Sequence, residues 1–446
     1  MTMNEPHAFA ADWRGPRRPP PLSIIPVSIP LIILLTVAIM AFLSILINNF
    51  IPTERKITHQ IPHRYGVSDP QFIRTIGQLL GPPLLEGNSV DPLRNGDRIF
   101  PAIEAAIAAA TRSVTLETYI WDEGAVTERI SGLLAEAAEK GLKVHVLLDA
   151  AGCSAPNGPT VMKMRGMGVE VSVYHLSNIA RFNFRTHRKL LVIDGVVGFI
   201  GGAGFADKWL GNADSPTHWR DTHYRVSGPV VAQLQAAFND NWMKASARVL
   251  DGPAYFPPLV KAGEVCCQTF KSSPQEGSES ARLMFLLSLA AAERVISIGN
   301  AYFVPDDLTC RTLIEARQRG VEITVLVPGD VSDSKLVRRA SRERYGKLLA
   351  AGVRIFEYHP TMYHCKCLII DGIWCSVGSS NFDNRSFRLN DEANLNLLDR
   401  CFAEEETKAF AADCKLAKEV TYQEWAARSV KDKVVDKLSC LVRSQI

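Results

Sequence analysis

Hydrophobic and polar positions along this chain change their period in a regular order. The first apolar block is Leu31–Ile47, broken only by Thr36 and Ser44, within a stretch that carries no charge between Arg18 and Glu54. At a helical rise of about 1.5 Å per residue, Val27–Phe50 is long enough to cross a hydrocarbon core of about 30 Å. Pro26 and Pro30 suit the first turn of such a helix, and Asn48–Asn49 end it. A cleaved signal peptide is the competing reading. The run is too long for its apolar region, however, and no small-x-small site follows. A retained single-pass anchor is therefore expected. Arg14, Arg17 and Arg18 before it balance Arg55, Lys56 and Arg64 after it, so its orientation stays open.

A polar, proline-containing approach leads to about Arg94, and from there strand and helix periods alternate twice. The first round has an apolar strand at Ser113–Trp121, a helical stretch VTERISGLLAEAAEKG stopped by Gly141, strands at Leu142–Asp149 and Gly168–His175, and a hairpin at Arg185–Gly202. The second has Arg294–Pro305, the helical LIEARQRG, Val321–Pro328, Gly352–His359 and a hairpin at Met362–Asn381. EKGLKVHVLLD and QRGVEITVLVP are visibly alike. Strands separated by helices point to parallel sheet built from βαβ units. The repeat is too long for a solenoid, so it reads as a duplicated domain whose halves sit face to face about a pseudo-two-fold axis. The expected organisation is a tail (1–22), an anchor (23–51), a connecting segment (52–94), a first domain (95–256) and a second (257–446). The Pro/Gly-rich Leu250–Glu264 serves as the linker.

Composition adds two limits. With 446 residues, 47% hydrophobic and 22% charged, the chain can bury a substantial core. A formal net charge of +3 argues against a nucleic-acid binder that relies on bulk charge. Ten cysteines without a CxxC or metal-ligand spacing read as free thiols, which fits a reducing compartment.

The two hairpins carry the chemistry. Residues two apart on a strand face the same way, so His187 projects with Lys189 and His364 with Lys366, leaving Arg188 and Cys365 on the opposite face. Core-type LLVI and CLII follow, and Asp194–Gly195 and Asp371–Gly372 turn the chain. The return strands reach small-residue corners, GGAG and GSSN, where backbone N–H groups and short side chains can approach an anion. Gly202, Ser379 and Asn381 are the substrate-binding candidates there. A lone His-x-Lys is a common surface pattern. Here His187 and His364, Lys189 and Lys366, Asp194 and Asp371, and Gly201 and Gly378 all repeat at one constant offset.

The combined pattern H-x-K-x4-D-x6-G-[GS] resembles the signature of the phospholipase D superfamily, in both copies, and the likeness extends from Asn95 to Tyr422. THRKLLVIDG, WRDTHYRVSGP, AYFVPDD, SDSKLVRRASR, YHCKCLIIDG and GSSNFDNRSFRLNDEANL look like bacterial cardiolipin synthases in particular. The resemblance implies an α/β fold of duplicated phospholipase D-like α/β/α sandwich domains preceded by one transmembrane helix, with a single active site at their interface. It also implies no metal and no cofactor, phospholipid substrates and no nucleic acid. Phosphatidylglycerol is the expected lipid, with phosphatidylethanolamine as an alternative donor, and the bacterial inner membrane is the expected location. The oligomeric state is left open.

Splitting a phosphodiester without metal needs a nucleophile, a proton donor for the leaving alcohol, and cations on the non-bridging oxygens. Family practice makes His187 the nucleophile and His364 the acid and base, with Lys189 and Lys366 as the cations. A carboxylate on each imidazole would fix its tautomer. Glu392 matches the family position, and Asp221 is the first-copy candidate because the constant offset from Glu392 falls on Ser215. Asp194 and Asp371 complete the motif and are carried with the catalytic set, although a turn role is favoured. Gly204 departs from the family's usual asparagine. Lys335, Arg338, Arg339 and Arg342 are read as a headgroup- or leaflet-binding run or as a solvated helix face. Trp209 and Trp219 are read as packing residues, or as the rim of a lipid entry. The expected function is a membrane-bound phosphatidyl transferase that forms cardiolipin through a phosphohistidine. The competing ones are a phospholipase D that uses water or exchanges the head group for a small alcohol, a nuclease of the same superfamily (less fitting, given the anchor and near-neutral charge), and a catalytically inactive membrane scaffold.

Overall fold

The computed structural model describes residues 2, 28–50, 57–174, 183–274 and 279–441. Arg14, Arg17, Arg18, Pro26, Val27, Arg55, Lys56, His175 and, apart from Thr2, the expected tail lie outside them. The apolar block forms the helix Ile29–Phe50. Its Ile29–Ile47 portion has a mean hydropathy of 2.8 and is long and apolar enough to cross a membrane. Thr36 satisfies its hydroxyl within the helix, donating to Ile32 O at 2.8 Å. The helix belongs to a compact unit ending at Ile47, and a second unit begins at Asn48.

That second unit contains both repeats. The first supplies β1 (Leu85–Arg94), β2 (Ser113–Thr118), β3 (Lys143–Asp149), β4 (Glu170–Tyr174), β5 (Arg185–Thr186), β6 (Leu190–Ile193), β7 (Val197–Gly201) and β8 (Thr222–Ser227). The second supplies β9 (Val265–Ser272), β10 (Val295–Asn300), β11 (Glu322–Pro328), β12 (Arg354–Tyr358), β13 (Lys366–Ile370), β14 (Trp374–Gly378), β15 (Asn390–Leu398) and β16 (Ala417–Val420). Among the described residues the hydrogen-bonded order is β16-β12-β11-β10-β13-β14-β15-β9-β1-β8-β7-β6-β2-β3-β4, with β5 attached to β15. Read outward from the central β9–β1 pair, the two wings follow the same course: β8-β7-β6-β2-β3-β4 on one side and β15-β14-β13-β10-β11-β12 on the other. The second wing adds β16. The expected βαβ units appear as the parallel pairs β2–β3–β4 and β10–β11–β12.

Alternation along each hairpin decides what packs where. Leu191, Ile193 and Phe199 point to an outer core with the helices Gly96–Ala108, Ala125–Glu139 and Pro159–Gly166. Leu368, Ile370 and Trp374 do the same beneath Ser280–Ala290, Asp307–Gln318 and Lys335–Ala350. The alternate residues Leu190, Val192 and Ile200 meet Cys367, Ile369, Cys375 and Val377 in one central core, shared with the helices Val231–Ser246 and Arg400–Lys415. The two wings of the sheet therefore share a common apolar layer. Burial at roughly 25 cal/mol per Å² makes that layer the main attraction between the halves.

Residues 52–94, expected only to connect, contribute the helix Pro70–Leu79 and the strand β1. The segment LEGNSVDPLR reads as loop because Gly, Asn and Asp-Pro are turn formers. Pairing with β8 on one side and β9 on the other overrides that local preference. Leu250–Glu264 carries no helix or strand, and its Leu250 and Tyr255 are buried in the central core.

Candidate active site

Each His-x-Lys segment leaves its own sheet before its hairpin begins. The ladder starts only at Leu190 in the first repeat and at Lys366 in the second. Ahead of it the chain crosses to the opposite half. His187 N–H donates to Asp391 O at 2.8 Å, and His364 N–H donates to Arg220 O at 2.7 Å. Parallel pairing of Arg185 and Thr186 with Asn390 and Asp391, and a bridge between Arg220 and Tyr363, complete this two-fold exchange.

The crossing sets the side-chain partners. His187 Nδ1 lies 3.1 Å from Glu392 Oε2, and His364 Nδ1 lies 2.7 Å from Asp221 Oδ2. Each histidine is thus oriented by the acid of the other half. Strand register identifies the two acids as equivalents. Gly201 pairs with His223 and Gly378 with Asn394, and each acid stands two residues before that partner. The constant offset had pointed to Ser215 because the first repeat carries a longer loop between these strands.

Glu392 is fully buried and also accepts from Ser379 Oγ (2.5 Å), Ser386 Oγ (2.7 Å) and Asn390 Nδ2 (3.3 Å). Asp221 accepts from Trp209 Nε1 (2.9 Å) and Thr222 N–H (2.8 Å). Burial alone would raise both carboxyls. The paired imidazoles, the lysines Lys189 and Lys366, and these hydrogen bonds outweigh it, so both acids are held below the ordinary range. An ionised carboxylate only accepts, so Nδ1 of each ring carries the proton and Nε2 is left with its lone pair. Burial pushes both imidazoles down to about 4, against the pull of their acids, so near neutral pH the rings are neutral.

Lys189 Nζ donates to His187 O at 2.7 Å. Lys366 Nζ donates to His364 O at 2.6 Å and sits 3.0 Å from both nitrogens of that ring. Burial lowers Lys189 to about 7, and the charge of Lys366 adds to the effect, so the two motifs lie within electrostatic reach of one another. His187, Lys189 and His364 line one cavity of about 310 Å³, together with Asn381 and residues of both halves.

Other expected residues stand elsewhere. Asp194 accepts from the N–H groups of Thr111 (2.9 Å), Arg112 (2.7 Å) and Ser113 (2.9 Å). Asp371 accepts from those of Glu293 (2.9 Å), Arg294 (2.8 Å) and Val295 (2.8 Å). Both lie outside the cavity lining and pin their hairpin turns to the start of a neighbouring strand. At φ of 55° and 54° they hold the left-handed conformation that the turn requires. Gly202 and Ser379 touch the acids rather than the cavity. A Cβ on Gly202 would fall 2.3 Å from Asp221 Oδ1, whereas the Ser379 hydroxyl bonds Glu392. Gly204 stands where the second repeat has Asn381, and a Cβ there would meet Ile120 Cβ at 2.7 Å and the Trp209 ring at 3.1 Å. Trp209 and Trp219, favoured as packing residues, do pack, yet against His364, with ring centroids at 5.4 and 5.2 Å, and both line the cavity. Within the basic run Lys335 is exposed, whereas the three arginines are drawn into ion pairs. Arg338 pairs with Asp330 (2.7 Å), Arg339 with Asp436 (3.1 Å) and Arg342 with Glu357 (3.6 Å).

Residues 103–242 and 286–414 match the family described as cardiolipin synthase, PLD-like domain. The chain belongs to this family. It is 35% identical over 356 residues to cardiolipin synthase A of Pseudomonas entomophila, covering 79% of this chain and 74% of that protein. The Pseudomonas fluorescens cardiolipin synthase A is 36% identical over the same shares. The crystal structure of phosphatidylserine synthase from Haemophilus influenzae superposes with a TM-score of 0.64 at 14% identity, over 84% of this chain and 99% of that one, and so shares the fold. As a cardiolipin synthase family member, the chain is an enzyme of the phosphatidyltransferase and phospholipase D type.

The motif reading did not single out Tyr119, Arg185, Lys208, Tyr302, Asp333 and Arg385, which also line the cavity. Tyr302, Asp333 and Arg385 lie within stretches that resemble cardiolipin synthases, which is the signal that could have marked them. Tyr119 and Lys208 gave none. Arg188, read only as facing away, is fully buried. It donates to Glu392 O (3.2 Å), Ala237 O (2.7 Å) and Ser272 O (3.2 Å), and pairs with Asp240 (3.2 Å).

Proposed function

We propose that this cavity transfers a phosphatidyl group from a phospholipid to the hydroxyl of phosphatidylglycerol, forming cardiolipin through a phosphohistidine. The observation that carries the reading is the exchange of acids: two imidazoles, each held by the opposite half, open on one cavity. His187 Nε2 attacks phosphorus, and the bond from phosphorus to the head-group oxygen breaks. His364 gives that oxygen its proton. His364 then takes the proton of the incoming hydroxyl, whose oxygen attacks phosphorus as the phosphorus–nitrogen bond breaks, and His187 is restored. Lys189 and Lys366 balance the charge on the non-bridging oxygens. The shorter 2.7 Å pairing with Asp221 supports His364 as the proton holder once the anionic phosphodiester enters.

Asp333 supports an alcohol rather than water as the acceptor. It is an exposed carboxylate in the cavity, accepting from Tyr302 Oη at 2.6 Å. It repels phosphate and accepts hydrogen bonds from the hydroxyls of a glycerol head group. The helix Ile29–Phe50 serves in this reading as a single-pass anchor in the bacterial inner membrane. Purified protein in phosphatidylglycerol vesicles is expected to produce cardiolipin and an equal amount of glycerol. Phosphatidic acid as sole product makes it a hydrolase, and lipid turnover absent from wild type and His187→Ala alike makes it a scaffold.

Lys189 gives a pH test. Its ammonium is needed in the charged form, and burial brings its pKa down from the ordinary lysine value to about 7. The charge is therefore present below that pH and lost as pH rises through it. A plot of kcat/KM, which reports the free enzyme, is expected to break downward near pH 7. Lys189→Arg keeps its charge and should move the break to higher pH. An unmoved break assigns it to another group.

A further inference from the structure

The C-terminal helix Val430–Leu441 is amphipathic in an unusual sense: both of its faces have work. One face is docked. Asp436, Ser439 and Cys440 are buried, and Asp432 and Asp436 pair with Arg339, at 3.4 and 3.1 Å, on the helix Lys335–Ala350. Arg428 also pairs with Asp436. The other face presents Val430, Val434, Leu438 and Leu441, each more than half exposed. At about 100° per residue these four fall within about 80° of the helix circumference. Exposed Lys431 borders the stripe on one side, and exposed Lys433 and Lys437 border it on the other.

We propose that this face is a membrane contact, additional to the anchor helix, that lies on an anionic lipid leaflet. The four aliphatic side chains enter the acyl boundary, while the three lysines reach outward to lipid phosphates. Charge complementarity selects lipid as the occupant. Asp436 is buried against Arg339 and Arg428, and half-exposed Asp432 leans on Arg339, so the three exposed lysines dominate the helix's outward charge. Each lysine near an anionic surface strengthens binding by about fivefold.

Position in the fold gives the contact a purpose. The helix that Val430–Leu441 grips begins at its cap Ser334, and Asp333, Ser334 and Val337 line the catalytic cavity. A bilayer held by the C-terminal helix thus bears on the element that forms one wall of the site. Leu336 is exposed in the same first turn. This purpose rests on the reading that the substrates are bilayer lipids. The contact itself can be tested apart from turnover.

The test uses the full chain with exposed Cys401 replaced by serine and a nitroxide at Leu438→Cys, reconstituted in phosphatidylcholine vesicles with or without phosphatidylglycerol. In anionic vesicles, collisions with oxygen should rise relative to those with a water-soluble nickel chelate. The triple variant Lys431→Glu, Lys433→Glu, Lys437→Glu should abolish the rise. A label that stays in water in both vesicle types overturns the proposal, as does equal immersion in both. Shielding that instead grows with protein concentration in detergent assigns the face to a second copy. Because the readout is the label, lost lipid turnover with an immersed label counts against the assigned function and not against the contact.

Discussion

With a phosphatidyl-p-nitrophenol donor, His364→Asn is expected to release about one nitrophenolate per chain and then stall, whereas His187→Asn releases none. Nitrophenolate leaves without a proton, so the first half-reaction needs only the nucleophile. Regenerating His187 still needs a base to activate the incoming alcohol. With natural lipids each variant should lose up to about 10⁴-fold in turnover, the upper end of the usual acid–base contribution. The acids extend the test, because the crossing makes an unusual forecast. Glu392→Gln, in the second half, should behave like loss of His187, and Asp221→Asn, in the first, like loss of His364, since each amide disturbs the tautomer of the ring it contacts. A burst in His187→Asn and none in His364→Asn exchanges the two roles. Acids that follow their own half's histidine refute the crossed arrangement.

The largest effect on stability is expected at Arg188. Its side chain has no exposure, and its guanidinium joins carbonyls of the first half (Ala237) to those of the second (Ser272 and Glu392) while pairing with Asp240. Burial would lower its pKa, but Glu117, Asp391 and Asp240 together raise it, so it stays charged. Glu117 is fully buried and sits at about 7 even with Arg188 nearby. Arg188→Ala strands these acids and carbonyls together, and removing one member of a buried charge cluster costs about 3–5 kcal/mol. Urea unfolding of the solubilised chain should show the loss. A variant that unfolds with wild-type midpoint would mean that the network contributes little to holding the halves together.

How much of this could be read in advance divides along physical lines. The apolar runs LLVI and CLII located both hairpins, and Asp-Gly located their turns, because these features depend on neighbours in the chain. β1 escaped, since its Gly, Asn and Asp-Pro favour loop and only pairing from both sides makes it strand. Glu392 and Asp221 were found as residues, by resemblance and by search, although a fixed offset chose Ser215. Register across β7–β8 and β14–β15 shows why: a longer loop shifts the count without shifting the geometry. The arginines of SKLVRRASRERYGK looked like a free basic face because their partners Asp432, Asp436 and Glu357 are distant in sequence.

By itself, then, the sequence determined a duplicated α/β chain with an apolar segment long enough to cross a membrane and two histidine–lysine pairs, because period and repetition are local properties. The tertiary structure decided which acid serves which histidine, which tryptophans reach the cavity, and that Asp194 and Asp371 hold turns rather than substrate. Those outcomes depend on two segments leaving their own sheets to pair across the interface. No pattern along the chain encodes a hydrogen bond to the other half.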